Sequence, residues 1–286
     1  AVQNKGYHLV DQAEEVYNQA DIQSRLKTKW VGHPLLFFDS IDSTNIRAKL
    51  EAEQGAESGL LVVADQQTAG RGRRGRGWES PSGSNIYYTL MLKPDFNADC
   101  APMLTLVMAL AVAKGIRQTL GRGSEEGAAK VGIKWPNDII LDCRKVCGIL
   151  TKLTSDAESG TINGAVIGIG VNVTQQPQDF PEELRDKAIS VREAGAAVPR
   201  AAIAAGIITR LDGLFLRQHI LSQPAENLIG ELTRRSCTIG RRVEVISPTG
   251  QYEALAVAIA PDAGLIVELP DGSRRTVSSG EVSVRG

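Results

Sequence analysis

Apolar positions fall in short, separated runs along most of the chain, with two long helical stretches between them. Leu35-Leu36-Phe37-Phe38 and Leu60-Leu61-Val62-Val63-Ala64 are continuous apolar runs too short for helices, so they read as buried strands. Ile86 to Leu92 is rich in aromatic and β-branched residues and reads as a third strand. Ile46 to Gln54 reads as a helix, with Ser43 or Thr44 as its N-cap. Cys100 to Leu120 is apolar on nearly every side, as a buried central helix must be. Val131 to Trp135 forms a strand stopped by Pro136-Asn137-Asp138. Ile139 to Leu141 and Val146 to Leu153 pair as a hairpin across Asp142 to Lys145. Ala165 to Val173 is a buried strand thinned by Gly164, Gly168 and Gly170, where missing side chains permit close approach of a backbone or ligand. Ala201 to His219 carries Ile203, Ile207, Leu211, Leu214 and Phe215 along one helical face.

The two ends differ from this pattern. Residues 1–34 form a lead-in, with a helix expected over Asp11 to Leu26 because Val16, Ala20, Gln23 and Leu26 recur at helical spacing. From residue 236 to 286 the chain becomes short β-rich runs between Pro/Gly/Asp turns: Arg242 to Ile246, Tyr252 to Ile259, Gly264 to Leu269 and Arg274 to Val277. That rhythm predicts a small β-barrel domain. Residues 35–235 then form the main domain, and the Gly/Ser/Glu stretch Gly121 to Ala129 a surface loop.

Composition narrows the class. The 286 residues carry 32 basic and 33 acidic side chains, so positive charge matters only where it is concentrated. The richest apolar run, Met103 to Ile116, falls short of the roughly 18–20 residues of a membrane span and contains Lys114. No signal peptide is visible, and four scattered cysteines suit a reduced cytoplasmic protein rather than a disulfide framework or zinc site. The chain opens on Ala1 rather than Met, so upstream residues are expected in the parent protein.

Charge is concentrated in Gly70-Arg71-Gly72-Arg73-Arg74-Gly75-Arg76-Gly77-Trp78. Glycines predict a loop that is mobile until a ligand orders it. The guanidinium forks predict a carboxylate or phosphate as that ligand. Gly70-x-Gly72-x-x-Gly75 matches the dinucleotide fingerprint in letters alone: no helix opens after it, and no acidic residue follows at the required distance. No G-K-[ST] follows either, which excludes a P-loop. As one short unit within a folded chain, it also differs from a nucleic-acid-binding Arg-Gly tract.

Three further sites are candidates. Lys134, at the end of a buried strand, either meets an anion or snorkels to solvent beside an ordinary Pro-Asn-Asp turn. Ser43, Thr44, Asn45 and Gln67 lie at strand ends, where they either cap a helix or offer compact donors and acceptors to an amide or urea. Asn172 closes the glycine-thinned strand as a ligand contact or a loop residue.

The motifs D-S-T-N, Q-T-A-G-R-G-R-R-G-R-G-W, K-W-P-N-D, K-V-C-G-I-L and G-I-G-V-N occur in this order. Order and spacing closely resemble the biotin protein ligases, from about Leu35 to the C-terminus. Asn4-Lys5-Gly6-Tyr7-His8-Leu9 also resembles the segment that follows the winged helix-turn-helix of bifunctional ligase–repressors. The resemblance implies an α/β (α+β) fold: a mixed-sheet, class II synthetase-like catalytic domain with an SH3-like C-terminal barrel. It implies ATP-dependent activation of biotin as biotinyl-5′-AMP, then transfer to a lysine of a biotin carboxyl-carrier domain of a biotin-dependent carboxylase. A lipoate–protein ligase is the nearest alternative.

The implied roles go residue by residue. Ser43, Thr44, Asn45 and Gln67 would line the biotin pocket. Arg71, Gly72 and Arg73 would lie in the loop that orders over biotin and its adenylate. Lys134 would reach the biotin carboxylate and the α-phosphate, so Lys134, Arg71 and Arg73 would be the catalytic cations. Trp78, Asn137, Asp138, Lys145, Gly148 and Asn172 would hold ATP, with Mg2+ balancing its triphosphate and no protein metal site. A homodimer is plausible for the family. DNA binding is expected only of a parent protein carrying an upstream winged helix-turn-helix, and no membrane partner is expected.

Overall fold

The computed structural model describes residues 16–93, 101–121, 131–155, 162–218, 226–247, 250–278 and 281–284. The resemblance over Asn4 to Leu9, the first residues of the expected leading helix, Cys100, most of the 121–129 stretch and His219 lie outside them.

Seven strands form one mixed sheet in the order β1-β2-β3-β7-β6-β5-β4. They are β1 Leu35–Ile41, β2 Leu61–Gln67, β3 Ile86–Leu92, β4 Gly132–Lys134, β5 Asp138–Leu141, β6 Arg144–Ser155 and β7 Ile162–Val171. β1 and β2 run parallel. Every other neighbouring pair is antiparallel. The β5–β6 hairpin closes over two residues, Asp142 and Cys143, both at positive φ (47° and 65°). This two-residue, left-handed geometry matches the twist of the strands it joins.

The two sheet faces are used differently. Helices α3 Ala101–Thr119 and α4 Arg200–Gln218 bury one face. Leu61, Val63, Tyr88, Leu90, Ile167 and Ile169 pack there with Leu104, Met108, Ile203 and Ile207 in one core. On the other face, α2 Thr44–Glu53 covers only part of the sheet, setting Ala48 and Ala52 against Val62, Met91 and Val166. The rest of that face is left to polar chemistry.

The lead-in helix is shorter than its spacing suggested. Helix α1 spans Gln19–Arg25, begins with the Asn18 side chain accepting from the Asp21 amide, and buries Ile22. Val16 precedes it and is 58% exposed, so the Val16-Ala20-Gln23 register does not face the core.

Two elements escaped the sequence reading. Helix α5 Glu226–Arg235 leads into the C-terminal unit, and a fifth strand, β12 Glu281–Val284, completes it. That unit is an antiparallel sheet ordered β11-β10-β9-β8-β12, with β8 Arg242–Ser247, β9 Gly250–Ile259, β10 Leu265–Glu268 and β11 Arg274–Val277. It is stitched to β4: Cys237 N–H donates to Ile133 O at 3.0 Å. Trp135 N–H donates to Thr238 Oγ1 at 3.0 Å and the Trp135 indole N–H to Ala263 O at 2.9 Å. Among the described residues no helix is long and apolar enough to cross a membrane.

Candidate functional site

One register row crosses most of the sheet. Ala64 pairs with Tyr87, Tyr87 with Gly170, Gly170 with Gly148, Gly148 with Asp138, and Asp138 with Lys134. Directly paired residues share a face, so Gly170, Gly148, Asp138 and Lys134 all lie on the side opposite α3 and α4. Gly168, two residues along β7 from Gly170, joins them. The centre of this face is a floor without side chains.

Two side chains occupy that floor. The Asn45 carboxamide stands where a β-carbon on Gly168 would be. The Trp78 indole lies over Gly170, where a β-carbon would sit 2.5 Å from Nε1, and over Gly148, at 2.8 Å from Cζ3. The glycines thus admit an amide and an indole, the kind of close approach anticipated for this strand.

A hydrogen-bond chain fixes the edge near α2. Gln67 Oε1 accepts from Thr44 N–H (2.9 Å) and Thr44 Oγ1 (3.0 Å), and Thr89 Oγ1 lies 2.9 Å from Thr44 Oγ1. Gln67 Nε2 donates to Ser80 Oγ at 3.0 Å, and the Ser80 hydroxyl to Trp78 O at 2.8 Å. Ser43 takes the N-cap position of α2, but its side chain makes no capping bond. Instead Ser43 Oγ, Asn45 Oδ1 and Trp78 Nε1 are buried with no hydrogen-bond partner. Leaving such groups unpaired costs about 1–3 kcal/mol each, which a polar ligand would recover. Thr44 and Gln67 are spent on one another; Ser43 and Asn45 keep their acceptors in reserve.

The arginine loop is folded into a compact turn. Arg71 bridges Gly77, Gly72 N–H donates to Arg76 O at 2.7 Å, and Trp78 N–H to Gly70 O at 3.0 Å. Gly70 is required there, because a β-carbon would collide with Trp78 O. Gly70 and Gly72 serve close backbone packing. Arg73 Nη1 donates to Asn137 Oδ1 at 2.8 Å, which ties the loop to the β4–β5 turn. Arg74, at φ 54°, reaches Ile246 O of the C-terminal unit at 3.3 Å. Arg71 is exposed, with no side-chain hydrogen bond or ion pair among the described residues.

Beyond Trp78 lies a charged group. Lys145 Nζ is 2.7 Å from Asp138 Oδ1 and 5.3 Å from the centre of the Trp78 ring. Asn137 Nδ2 donates to Asp138 Oδ1 and to Ile149 O, both at 3.0 Å. Lys134 is half-buried and has no ion pair or side-chain hydrogen bond among the described residues. Asn172 is committed to structure: its amide donates to Lys145 O at 3.4 Å and Ile189 O at 3.3 Å, holding β6 against the chain past β7. Cys147, beside this group but on the core face, has its thiol pushed well up by burial and is chemically quiet.

Thus Ser43, Asn45, Trp78, Gly148, Lys145, Asp138 and Lys134 converge on one face. Arg73 and Asn137 meet at its rim, while Asn172 braces from behind. Sequence reasoning missed Ser80 and Thr89, which complete the chain around Thr44 and Gln67; isolated hydroxyls carry no sequence signal. Among the described residues no group of three or more His, Cys, Asp or Glu could hold a metal ion, and Asp138 is already engaged by Lys145 and Asn137.

The fold and site define a class: a mixed-sheet domain with a cationic loop over a glycine floor, followed by a small antiparallel unit. The chain belongs to the biotin/lipoate A/B protein ligase family. Residues 37–172 match the model of that family, and residues 238–285 match the biotin protein ligase C terminal domain. It is 34% identical to the bifunctional ligase/repressor BirA of Bacillus subtilis, over 98% of this chain and 82% of that protein. It is 31% identical to the biotin–[acetyl-CoA-carboxylase] ligase of Mycobacterium tuberculosis, over 84% of this chain and 85% of that protein. The structure of the Aquifex aeolicus biotin protein ligase in complex with biotin and ATP superimposes with a TM-score of 0.70 at 26% identity, covering 88% of this chain and 98% of that one.

Proposed function

We propose that this chain is a biotin protein ligase. It joins biotin to ATP as biotinyl-5′-AMP and passes the biotinyl group to a lysine of a biotin carboxyl-carrier domain. The carrying observation is the pair of buried, unpartnered acceptors Ser43 Oγ and Asn45 Oδ1 above a floor of glycines. A urea-like head with two N–H donors satisfies both. Gln67 holds Thr44 in place and so sets where Ser43 and Asn45 stand.

In the first half-reaction a biotin carboxylate oxygen attacks the α-phosphorus, and the bond from that phosphorus to the pyrophosphate oxygen breaks. Two anions must meet, so cations are needed at their point of contact. Lys134 closes the row that starts at the glycine floor, and Arg71 and Arg73 stand on the loop above it. They lower the repulsion and stabilise charge on the phosphoryl oxygens. Trp78 offers a flat face to the adenine. Gly72 lies in the loop over biotin and its adenylate; Gly148, Asn137, Asp138 and Lys145 border the nucleotide, and Asn172 braces the strand ends behind it. Mg2+ would balance the charge of the triphosphate. In the second half-reaction a neutral carrier lysine attacks the carbonyl carbon; AMP leaves and the amine loses its proton. The closed loop shields the adenylate from water between the two steps.

Residues 35–235 form the ligase unit and 236–286 a C-terminal unit that steadies the loop through Arg74. The site would work in the cytoplasm, where ATP and apo carrier meet. Pairing of two copies, and DNA binding through any preceding domain, would be additions to this chemistry. The test is incubation with biotin, ATP-Mg and an apo carrier domain, with lipoate as competitor, read by intact mass. A carrier shifted by one biotinyl group is expected. An unmodified or lipoylated carrier overturns the proposal.

A further inference from the structure

Arg200 opens α4 and is 4% exposed. A cation there faces the positive end of the helix dipole, and a buried one needs close partners to offset its desolvation. Its Nη1 donates to Asp65 Oδ1 at 2.6 Å and to Asn85 O at 3.2 Å. Its guanidinium carbon lies 4.2 Å from the centre of the Tyr17 ring, in the segment leading into the ligase unit.

Each partner reaches toward the site. Asp65, on β2 two residues before Gln67, accepts from the Ser82 hydroxyl and from Gly83 N–H at 3.0 Å. The segment leaving the arginine loop is therefore pinned twice, at Ser80 by Gln67 and at Ser82-Gly83 by Asp65. Asn85 accepts from Val173 N–H at 2.9 Å and donates to Gln175 Oε1 at 2.6 Å, fixing the chain just past Asn172.

We propose that Arg200 is a positioning residue for biotin ligation: through Asp65 it sets the exit of the arginine loop, and with it Trp78, over the glycine floor. It touches no reacting atom, and the Tyr17 ring lies 4.2 Å from its guanidinium carbon. The inference rests on the ligase reading above.

The experiment compares wild type, Arg200→Met, Arg200→Lys and Ser82→Ala, recording biotin KM, kcat, melting temperature and the lifetime of enzyme-held biotinyl-adenylate without carrier. Arg200→Met should raise KM and shorten that lifetime about tenfold, and Arg200→Lys should recover part of both. Exposed Ser82 can be changed without threatening the fold, so Ser82→Ala should move both quantities in the same direction. It should add nothing in the Arg200→Met background, because the two act as one unit. A lower melting temperature with wild-type KM and lifetime overturns the positioning role. If Arg200→Met does not fold, Ser82→Ala decides, and wild-type values there overturn the role equally. A wild-type enzyme that forms no adenylate overturns the ligase reading itself, and this proposal with it.

Discussion

The Asn45 carboxamide fills the space that any side chain at position 168 would need. Gly168 lies mid-strand on β7, paired with Thr89 and Leu150, so its backbone is ordinary and the demand is purely spatial. Gly168→Ala must displace Asn45 from the floor. It should raise biotin KM strongly, and overpacking should lower stability by about 1–3 kcal/mol. Biotin-dependent pyrophosphate release and urea unfolding measure the two effects; an unchanged KM would remove Asn45 from the biotin site.

Lys134 is the half-buried cation at the end of the row through Gly170, Gly148 and Asp138. With no carboxylate paired to it among the described residues, its charge remains for an incoming anion. Lys134→Ala should slow adenylate formation by about a hundredfold to a thousandfold, the scale of losing one preorganised electrostatic contact. Carrier-free pyrophosphate release reads that step directly, and a normal rate would contradict the assignment.

Much of this was legible because local signals agreed. β3 runs from Ile86 to Leu92, the segment its aromatic and β-branched residues marked. The glycines of β7 announced the close approach of Asn45 and Trp78. Other features could not be read. α5 is as long as α2, but it falls between the two stretches read as helix and barrel, and Leu228 and Leu232 are buried at the junction where it meets α3, β4 and β9. Val16 matched a helical period, yet Ile22 makes the contact, since a seven-residue helix leaves periodicity little to work with. Ser43 read equally as a cap or a ligand contact, and only the fold shows that its hydroxyl makes no capping bond and is buried without a partner. Arg200 follows Pro199 as an unremarkable helix start, and its value depends on Asp65, which is 135 residues away.

The arginine loop is already folded on itself by the Gly72–Arg76 and Gly70–Trp78 hydrogen bonds. It buries no side chain in its Arg73–Gly75 turn, so these bonds should open readily. Biotin plus ATP should slow amide exchange at Gly72 and Trp78 by bridging the loop to the floor. Exchange rates at these two amides that are indifferent to both ligands would count against the lid.

Trp135 joins the two units through its indole N–H on Ala263 O. Trp135→Phe keeps most of the apolar contact but strands that carbonyl, which should lower stability by about 1–3 kcal/mol. Urea unfolding gives the difference. Equal midpoints would show that the bond contributes nothing to joining the units.

Asp65 carries a pH signature. Burial pushes its carboxyl up, but the Ser82 and Arg200 hydrogen bonds, the Arg200 charge and the Gly83 amide outweigh this and hold it below the usual 3.8. A carboxylate lowered by folding stabilises the fold fully above its unfolded pKa, and that contribution fades as pH falls through the folded value. Asp65→Asn should therefore cost a constant amount of stability from neutral pH down to about pH 5, and progressively less below about pH 4. Urea midpoints of the two proteins, compared across this range, test it. A gap that stays constant to the lowest pH at which both remain folded would mean that the Asp65 charge is not what Arg200 holds.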